Sequence, residues 1–282
     1  MSIPRLDLSD GTSIPQLGFG VFQVPPADTQ AVVTDALAAG YRHLDTAQMY
    51  GNEEGVGAAV AASGIPRDEL YVTTKLHNNN HRPDDVRRSF DESLARLGLD
   101  HVDLFLIHWP LPTRYDGDYV STWRAMTELT ADGRARSVGV SNFQPDHLDR
   151  IVAETGVAPV VNQIEVHPFI TNEDARAATL RHGALVEAWS PIARGRVLDE
   201  PTIVKIADDL GRTPSQVTLR WHIERGDIVF PKSVRPERMA ENLGIFDFEL
   251  TAEQIDAISG LDEGDAGRTG PNPDEFDWVP ER

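Results

Sequence analysis

Four ionisable residues, Asp45, Tyr50, Lys75 and His108, each lie at or just past the carboxyl end of an apolar run of strand length: residues 41–45, 70–75 and 102–108. A carboxylate, a phenol, an ammonium and an imidazole drawn to one rim supply what acid chemistry on a carbonyl requires: a proton donor, a cation to tune it and a polar group to orient the oxygen. Further strand ends carry polar or aromatic residues: Ser141 and Asn142, Gln163 and Glu165, Trp189 and Ser190, Lys232 and Ser233. One such residue is ordinary loop polarity. Repetition at successive strand ends is the pattern of a site assembled from strand termini.

The elements that must position these residues are legible as alternating segments. A strand over 16–22 precedes a helix over 26–39, ended by Gly40 as helices commonly are. A helix over 53–63 stops before Gly64, and one over 83–97 begins on proline and stops before Gly98. Helices over 119–131, 145–154 and 172–182 separate short strands around 137–140, 160–164 and 185–188. The last strand, 228–230, leads to a helix over 236–243. Eight strand–helix units predict a parallel sheet covered by helices, and eight within 282 residues favour closure into a barrel.

Other pieces stand outside that rhythm. Residues 6–12, with their Asp10-Gly11 turn, read as an N-terminal β-hairpin placed to plug one barrel mouth. Two helices, 201–210 and 214–224, fill the connection before the last strand. A helix over 252–259, capped by Thr251, is followed from Asp262 by a C-terminal loop rich in Gly, Pro, Asp and Glu. No internal stretch has linker composition, so residues 1–282 read as a single barrel domain.

With 26 basic against 45 acidic residues the formal charge is −19, which favours solubility and argues against nucleic acid or anionic membrane as the main partner. The chain has no cysteine, so disulfides and thiolate metal ligands are excluded. No basic apolar leader opens the sequence, and no run approaches the roughly 18 apolar residues of a membrane span, so a cytoplasmic protein is expected.

The run Asp45-Thr46-Ala47-Gln48-Met49-Tyr50-Gly51-Asn52-Glu53, with Lys75, Ile107-His108-Trp109-Pro110, Gly139-Val140-Ser141-Asn142-Phe143 and Pro231-Lys232-Ser233, resembles the aldo-keto reductase family over nearly the whole chain. Gly20-Val21-Phe22, residues 50–57, Trp189 and the tail over 268–274 are most similar to bacterial 2,5-diketo-D-gluconate reductases. The resemblance implies an α/β fold, a (β/α)8 TIM barrel, binding a nicotinamide dinucleotide without a Rossmann domain. In keeping with it, no Gly-x-Gly-x-x-Gly follows a strand. It also implies a monomer that reduces aldehydes and ketones, among them diketo-sugar acids such as 2,5-diketo-gluconate or small dicarbonyls.

Within that frame Tyr50 is the expected acid. A phenol of pKa about 10 keeps its proton at neutral pH, and a nearby ammonium favours the phenolate formed on release. Lys75 is the expected ammonium and Asp45 the carboxylate that a buried ammonium needs. His108 is expected to orient the carbonyl and to donate to the developing oxyanion. Ser141, Asn142 and Gln163 resemble the family's contacts to the nicotinamide carboxamide, Trp189 its aromatic platform, and Ser190 belongs to the same wall. Lys232, Ser233 and Arg238 fall where the family holds the adenosine 2′-phosphate, with Glu241 and Asn242 near adenine and ribose. Two cations and a hydroxyl suit a dianion, so NADPH is expected over NADH. Phe22, Ala47, Met49, His77, Trp109 and Trp278 are the expected walls of the substrate pocket. Arg194 and Arg196, in the loop after Ser190, either fold over the cofactor pyrophosphate or stay solvated.

Other chemistries fit less well. His77 and His81 are spaced as zinc ligands on a helix, but the three asparagines between them disfavour one and no further ligand is near, so no metal is expected. Gly139-Val140-Ser141-Asn142 opens like a hydrolase elbow, yet Phe143 stands where a glycine is required. The alternative from another class is a nicotinamide-nucleotide-binding sensor or regulatory subunit on the same barrel with vestigial turnover, which binds NADPH without oxidising it on any carbonyl.

Overall fold

The computed structural model describes residues 3–280. It opens on an antiparallel hairpin, β1 (Arg5–Asp7) and β2 (Ser13–Pro15). Asp10 Oδ1 shapes the turn by accepting from the Thr12 amide at 2.9 Å and its hydroxyl at 2.7 Å. Eight parallel strands follow: β3 (Phe19–Gly20), β4 (His43–Asp45), β5 (Tyr71–Leu76), β6 (Val102–Ile107), β7 (Ala135–Ser141), β8 (Val161–Glu165), β9 (Leu185–Trp189) and β10 (Ile228–Val229). Each pairs with its neighbour in sequence. The Gly18 amide donates to the Val229 carbonyl at 2.9 Å and the Val229 amide to the Gln16 carbonyl at 3.1 Å, joining the first strand to the last. The sheet therefore closes into a (β/α)8 barrel.

The connecting helices are α1 (Pro26–Ala39), α2 (Glu53–Ala62), α3 (Pro83–Leu97), α4 (Tyr119–Glu128), α5 (Pro145–Thr155), α6 (Glu173–Arg181), α7 (Pro201–Leu210), α8 (Pro214–Glu224), α9 (Pro236–Leu243) and α10 (Ala252–Ser259). Many start on proline, whose missing N–H costs nothing in a first turn. Three expected spans shorten for local reasons. The strand expected from residue 41 begins at His43, because the Tyr41 amide returns to the Ala36 carbonyl and closes α1. The strand over 16–22 reduces to β3 with the bridge at Leu17. The helix expected to residue 131 ends at Glu128 in a series of turns.

Strand periodicity decides what faces where. Every residue of β5 and β6 is buried, as in a sheet covered on both sides. Val72, Leu76, Phe105 and Ile107 join the layer between sheet and helices. The alternate residues Tyr71, Leu104 and Leu106 pack instead with Val161, Ile228 and the hairpin residues Leu8 and Ile14. Ser137 Oγ, near the start of β7, donates to Asp10 Oδ2 at 2.6 Å, so the hairpin plugs the amino-terminal mouth. The open mouth is the carboxyl one.

Helices α2 and α3 approach at Gly57, where a Cβ would lie 2.0 Å from the Leu97 carbonyl oxygen. The atoms met are backbone, so no flexible side-chain end can move aside. Gly57→Ala is therefore expected to lower stability by about 3 kcal/mol, the upper end for overpacking. Denaturant unfolding checks this, and an unshifted midpoint contradicts it.

Candidate active site

The inward column of the barrel carries Asp45 from β4, Lys75 from β5, Gln163 from β8 and Glu187 from β9, all buried. Lys75 Nζ donates to Asp45 Oδ1 at 2.6 Å and to the Thr46 carbonyl at 3.0 Å, and lies 3.5 Å from the Tyr50 hydroxyl. An ammonium has three donors, and each has an oxygen to face.

Tyr50 reaches this point on a short 3-10 turn, Gln48–Tyr50, entered from extended Ala47 and ended by Gly51 at φ +65. Gln48 bolts the turn to α3, its amide nitrogen donating to the Ser89 carbonyl at 3.0 Å and to Ser93 Oγ at 2.9 Å. Its carbonyl oxygen accepts from the His77 amide at 2.8 Å. Asn52 closes the other side, donating to the Val21 carbonyl at 3.0 Å and accepting from Thr46 Oγ1 at 2.8 Å. His108 stands edge-on to the phenol, ring centres 5.6 Å apart. The predicted quartet is thus one cluster.

Burial dominates the electrostatics. It pushes the Tyr50 phenol above its ordinary value, while the Lys75 ammonium pulls it back. The sequence leads one to expect an ammonium that favours the phenolate; in the structure it does so, but desolvation outweighs the cation and the hydroxyl stays protonated. Burial also pulls the Lys75 ammonium down, but its partners, Asp45 foremost, more than offset it, so the amine is held charged. His108 is pushed well below the usual imidazole range by burial, then by Lys75, and is neutral.

The residues expected around a nicotinamide ring form a connected wall. Asn142 sits in the left-handed region at φ +63. Its Oδ1 accepts from Trp189 Nε1 at 2.9 Å, and its Nδ2 donates to the His108 carbonyl at 2.9 Å. Ser141 Oγ donates to the Gln163 carbonyl at 2.7 Å. Trp189 is half-buried, and Ser190 leaves it at φ +56. At the far end Lys232 and Arg238 are exposed and Ser233 is buried, its Oγ accepting from the Arg235 amide at 3.0 Å. Helix α9 starts there with no side-chain cap. Asn242 is buried, and Glu241 Oε1 accepts from Thr213 Oγ1 at 2.7 Å.

The rim and the tail together make the outer pocket. Phe22 is exposed, its ring 5.1 Å from that of Tyr50. Met49 is half-buried, His77 lies 6.1 Å from Trp278, and Trp109 lies 4.3 Å from Phe276, centre to centre. One expected wall is corrected: Ala47 has no exposed surface, so it leads the chain into the Tyr50 turn and lines nothing. The tail is no free loop. Glu165 Oε1 accepts from the Thr269 amide at 2.6 Å and the Gly270 amide at 3.2 Å. A Cβ at Gly270 would come within 2.4 Å of the Trp189 ring, so glycine is needed for that approach. Asn78 then donates to the Trp278 carbonyl at 2.9 Å. Arg196 packs on Phe169 and pairs with Glu263 instead of reaching the cleft. Residues 77–80 form a turn closed by the Asn80 amide on the His77 carbonyl at 2.9 Å, and His81 is buried against Tyr115.

Gln48, Asn52, Phe276 and Glu187 are not among the residues singled out from sequence. Glu187 stands two residues before Trp189 on β9, hence on the same face, a relation that marks it only once that face is known to turn inward. Gln163 Nε2 donates both to Asp45 Oδ2 and to Glu187 Oε2, at 3.0 Å each.

A family model described as the aldo/keto reductase family matches residues 16–263. The chain is similar to an aldo-keto reductase of Mycolicibacterium smegmatis, 48% identical over 276 residues, 98% of this chain and 99% of that one. It is also similar to the methylglyoxal reductase DkgA of Escherichia coli, 44% identical over 274 residues, 96% and 97% of the two chains. Among solved structures, a mutant of Gox0644 in complex with NADPH gives a TM-score of 0.93 at 44% identity, covering 98% of this chain and 99% of that one.

Glu187 makes the cluster's charge visible in solution. Burial, then Asp45, pushes its carboxyl up to about 8, with Gln163 and Lys75 opposing. Tyr71 also faces it. A carboxyl whose folded value exceeds its unfolded one contributes stability that is full below the unfolded pKa and is lost as pH rises toward the folded one. The amide of Glu187→Gln has no such dependence. Its melting temperature should therefore rise relative to the parent between about pH 5 and about pH 8; a constant difference contradicts the burial of an ionisable acid.

Proposed function

The chain belongs to the aldo/keto reductase family, and from that premise we propose that it is an NADPH-dependent carbonyl reductase in which Tyr50 is the general acid. The observation that carries the reading is the fully buried ammonium of Lys75, held charged against Asp45 and within reach of the Tyr50 oxygen.

NADPH, when bound, supplies the hydride for the carbonyl carbon. The residues at its expected position suit it: a half-buried indole whose Nε1 is pinned by Asn142, and exposed Lys232 and Arg238 beside an uncapped helix start, where backbone N–H groups favour phosphate. Tyr50 gives its proton to the carbonyl oxygen. Lys75 stabilises the phenolate left behind, and Asp45 keeps Lys75 charged. Neutral His108, edge-on to the phenol, orients the carbonyl and donates to the oxygen as charge develops. The phenol's raised value fits a donor that holds its proton until a basic oxyanion forms.

Small dicarbonyls are the favoured substrates, with diketo-sugar acids such as 2,5-diketo-gluconate beside them. The similarity to a methylglyoxal reductase supports this, as does a rim where the polar ring of His77 stands beside Trp278. Residues 1–282 act as one barrel unit, a monomer of the cytoplasm. Among the described residues no helix is long and apolar enough to cross a membrane.

Tyr50→Phe is expected to cut turnover of methylglyoxal by about 10²- to 10⁴-fold, followed by nicotinamide absorbance, with NADPH affinity nearly unchanged. Equal rates in variant and parent remove Tyr50 from the mechanism. Arg238→Ala should lower the ratio of kcat/KM for NADPH to that for NADH by about tenfold to a hundredfold, since a charge-assisted phosphate contact is worth about 1.5–3 kcal/mol. An unchanged ratio places the 2′-phosphate elsewhere.

A further inference from the structure

Glu187 has no part in the chemistry above, yet it is fully buried and paired in register with Gln163 across β8 and β9. Its Oε2 and Asp45 Oδ2 both lie 3.0 Å from the same nitrogen, Gln163 Nε2. A primary amide has two N–H donors and one carbonyl acceptor. Both donors are thus spent on carboxyl oxygens inside the barrel. The flipped amide would set its carbonyl oxygen against Asp45 Oδ2, an acceptor without a proton to offer while Asp45 pairs with Lys75. With Asp45 alone, one N–H would remain free and the amide could turn about its side-chain axis.

We propose that Glu187 is a positioning residue for the cofactor: with Asp45 it occupies both Nε2 protons of Gln163 and so presents Gln163 Oε1, as an acceptor, to the carboxamide N–H of nicotinamide. This rests on the reading of Gln163 as a carboxamide contact. The second oxygen, Glu187 Oε1, has no hydrogen-bond partner among the described residues, so the orienting contact to Gln163 is the only hydrogen bond that the side chain makes there. Carboxyl burial without a compensating ion pair is costly, and a purely structural position is filled more cheaply by an apolar residue.

The test compares NADP⁺ with its 3-acetylpyridine analogue, which keeps the ring carbonyl and lacks the amide N–H. Dissociation constants are measured by quenching of tryptophan fluorescence in the parent, Glu187→Met, Glu187→Gln and Gln163→Ala. Methionine matches the length of glutamate and offers the amide no comparable acceptor; glutamine keeps an oxygen that accepts. Glu187→Met should weaken NADP⁺ by about fivefold to tenfold and leave the analogue unchanged, the loss of one hydrogen bond. Glu187→Gln should restore NADP⁺ binding to within about twofold. If Glu187→Met does not fold, Glu187→Asp, whose carboxyl is drawn back by one methylene, is read in the same way. Weakening of both nucleotides alike, or of neither, overturns the proposal. Gln163→Ala separates the two levels. If it leaves NADP⁺ unaffected, the carboxamide reading itself fails. If it discriminates against NADP⁺ while Glu187→Met does not, only the role of Glu187 falls.

Discussion

An ammonium sealed inside a barrel is the constraint on which the rest of this structure turns. Lys75 has no exposed surface, and burial works against its charge. It remains charged because Asp45 lies 2.6 Å away and the Thr46 carbonyl 3.0 Å away. A buried ion pair contributes little net stability and is expensive to break. Its presence in the middle of a parallel barrel is therefore better explained by what the cation does to the phenol 3.5 Å away than by what it does for the fold.

The fold's contribution is register. Parallel strands with a period of two deliver Asp45, Lys75, Gln163 and Glu187 to one interior layer from four different stretches of chain. The hairpin plugs the opposite mouth, and the polar layer lies toward the carboxyl end. Around it the polar side chains are mutually committed. Gln48 and Asn52 fix the Tyr50 turn, Asn142 ties the His108 strand end to Trp189, and Glu165 fastens the tail. Burial pulls the Glu165 carboxyl upward, but donors from His167 and Thr269 outweigh it and hold it below the ordinary range, so the anchor is a charged one.

The residues that carry the chemistry were legible because they combine two signals, an ionisable type and a place at a strand's carboxyl end. Helix limits followed from proline at the start and glycine at the end, as in α3 with Pro83 and Gly98. Two kinds of feature were not legible. A glutamate within a strand reads as a solvated face, so Glu187 stays inconspicuous until closure of the barrel turns that face inward. Contacts made by aperiodic chain, such as Thr269 and Gly270 on Glu165 or Arg196 on Phe169, depend on tertiary approach that no local pattern encodes. Ala47 illustrates the converse error, since neighbouring a reactive residue in sequence did not bring it to the surface of the pocket.

The central claim is that the Lys75 charge opposes burial at the Tyr50 hydroxyl. Titration of Tyr50 by NMR of ring-¹³C-labelled tyrosine, in the parent and in Lys75→Met, addresses it directly. With the ammonium gone and Asp45 still in place, the phenol should titrate at higher pH than in the parent. An identical titration in the two proteins would show that the cation does not act on the phenol, and the account would be wrong at its root.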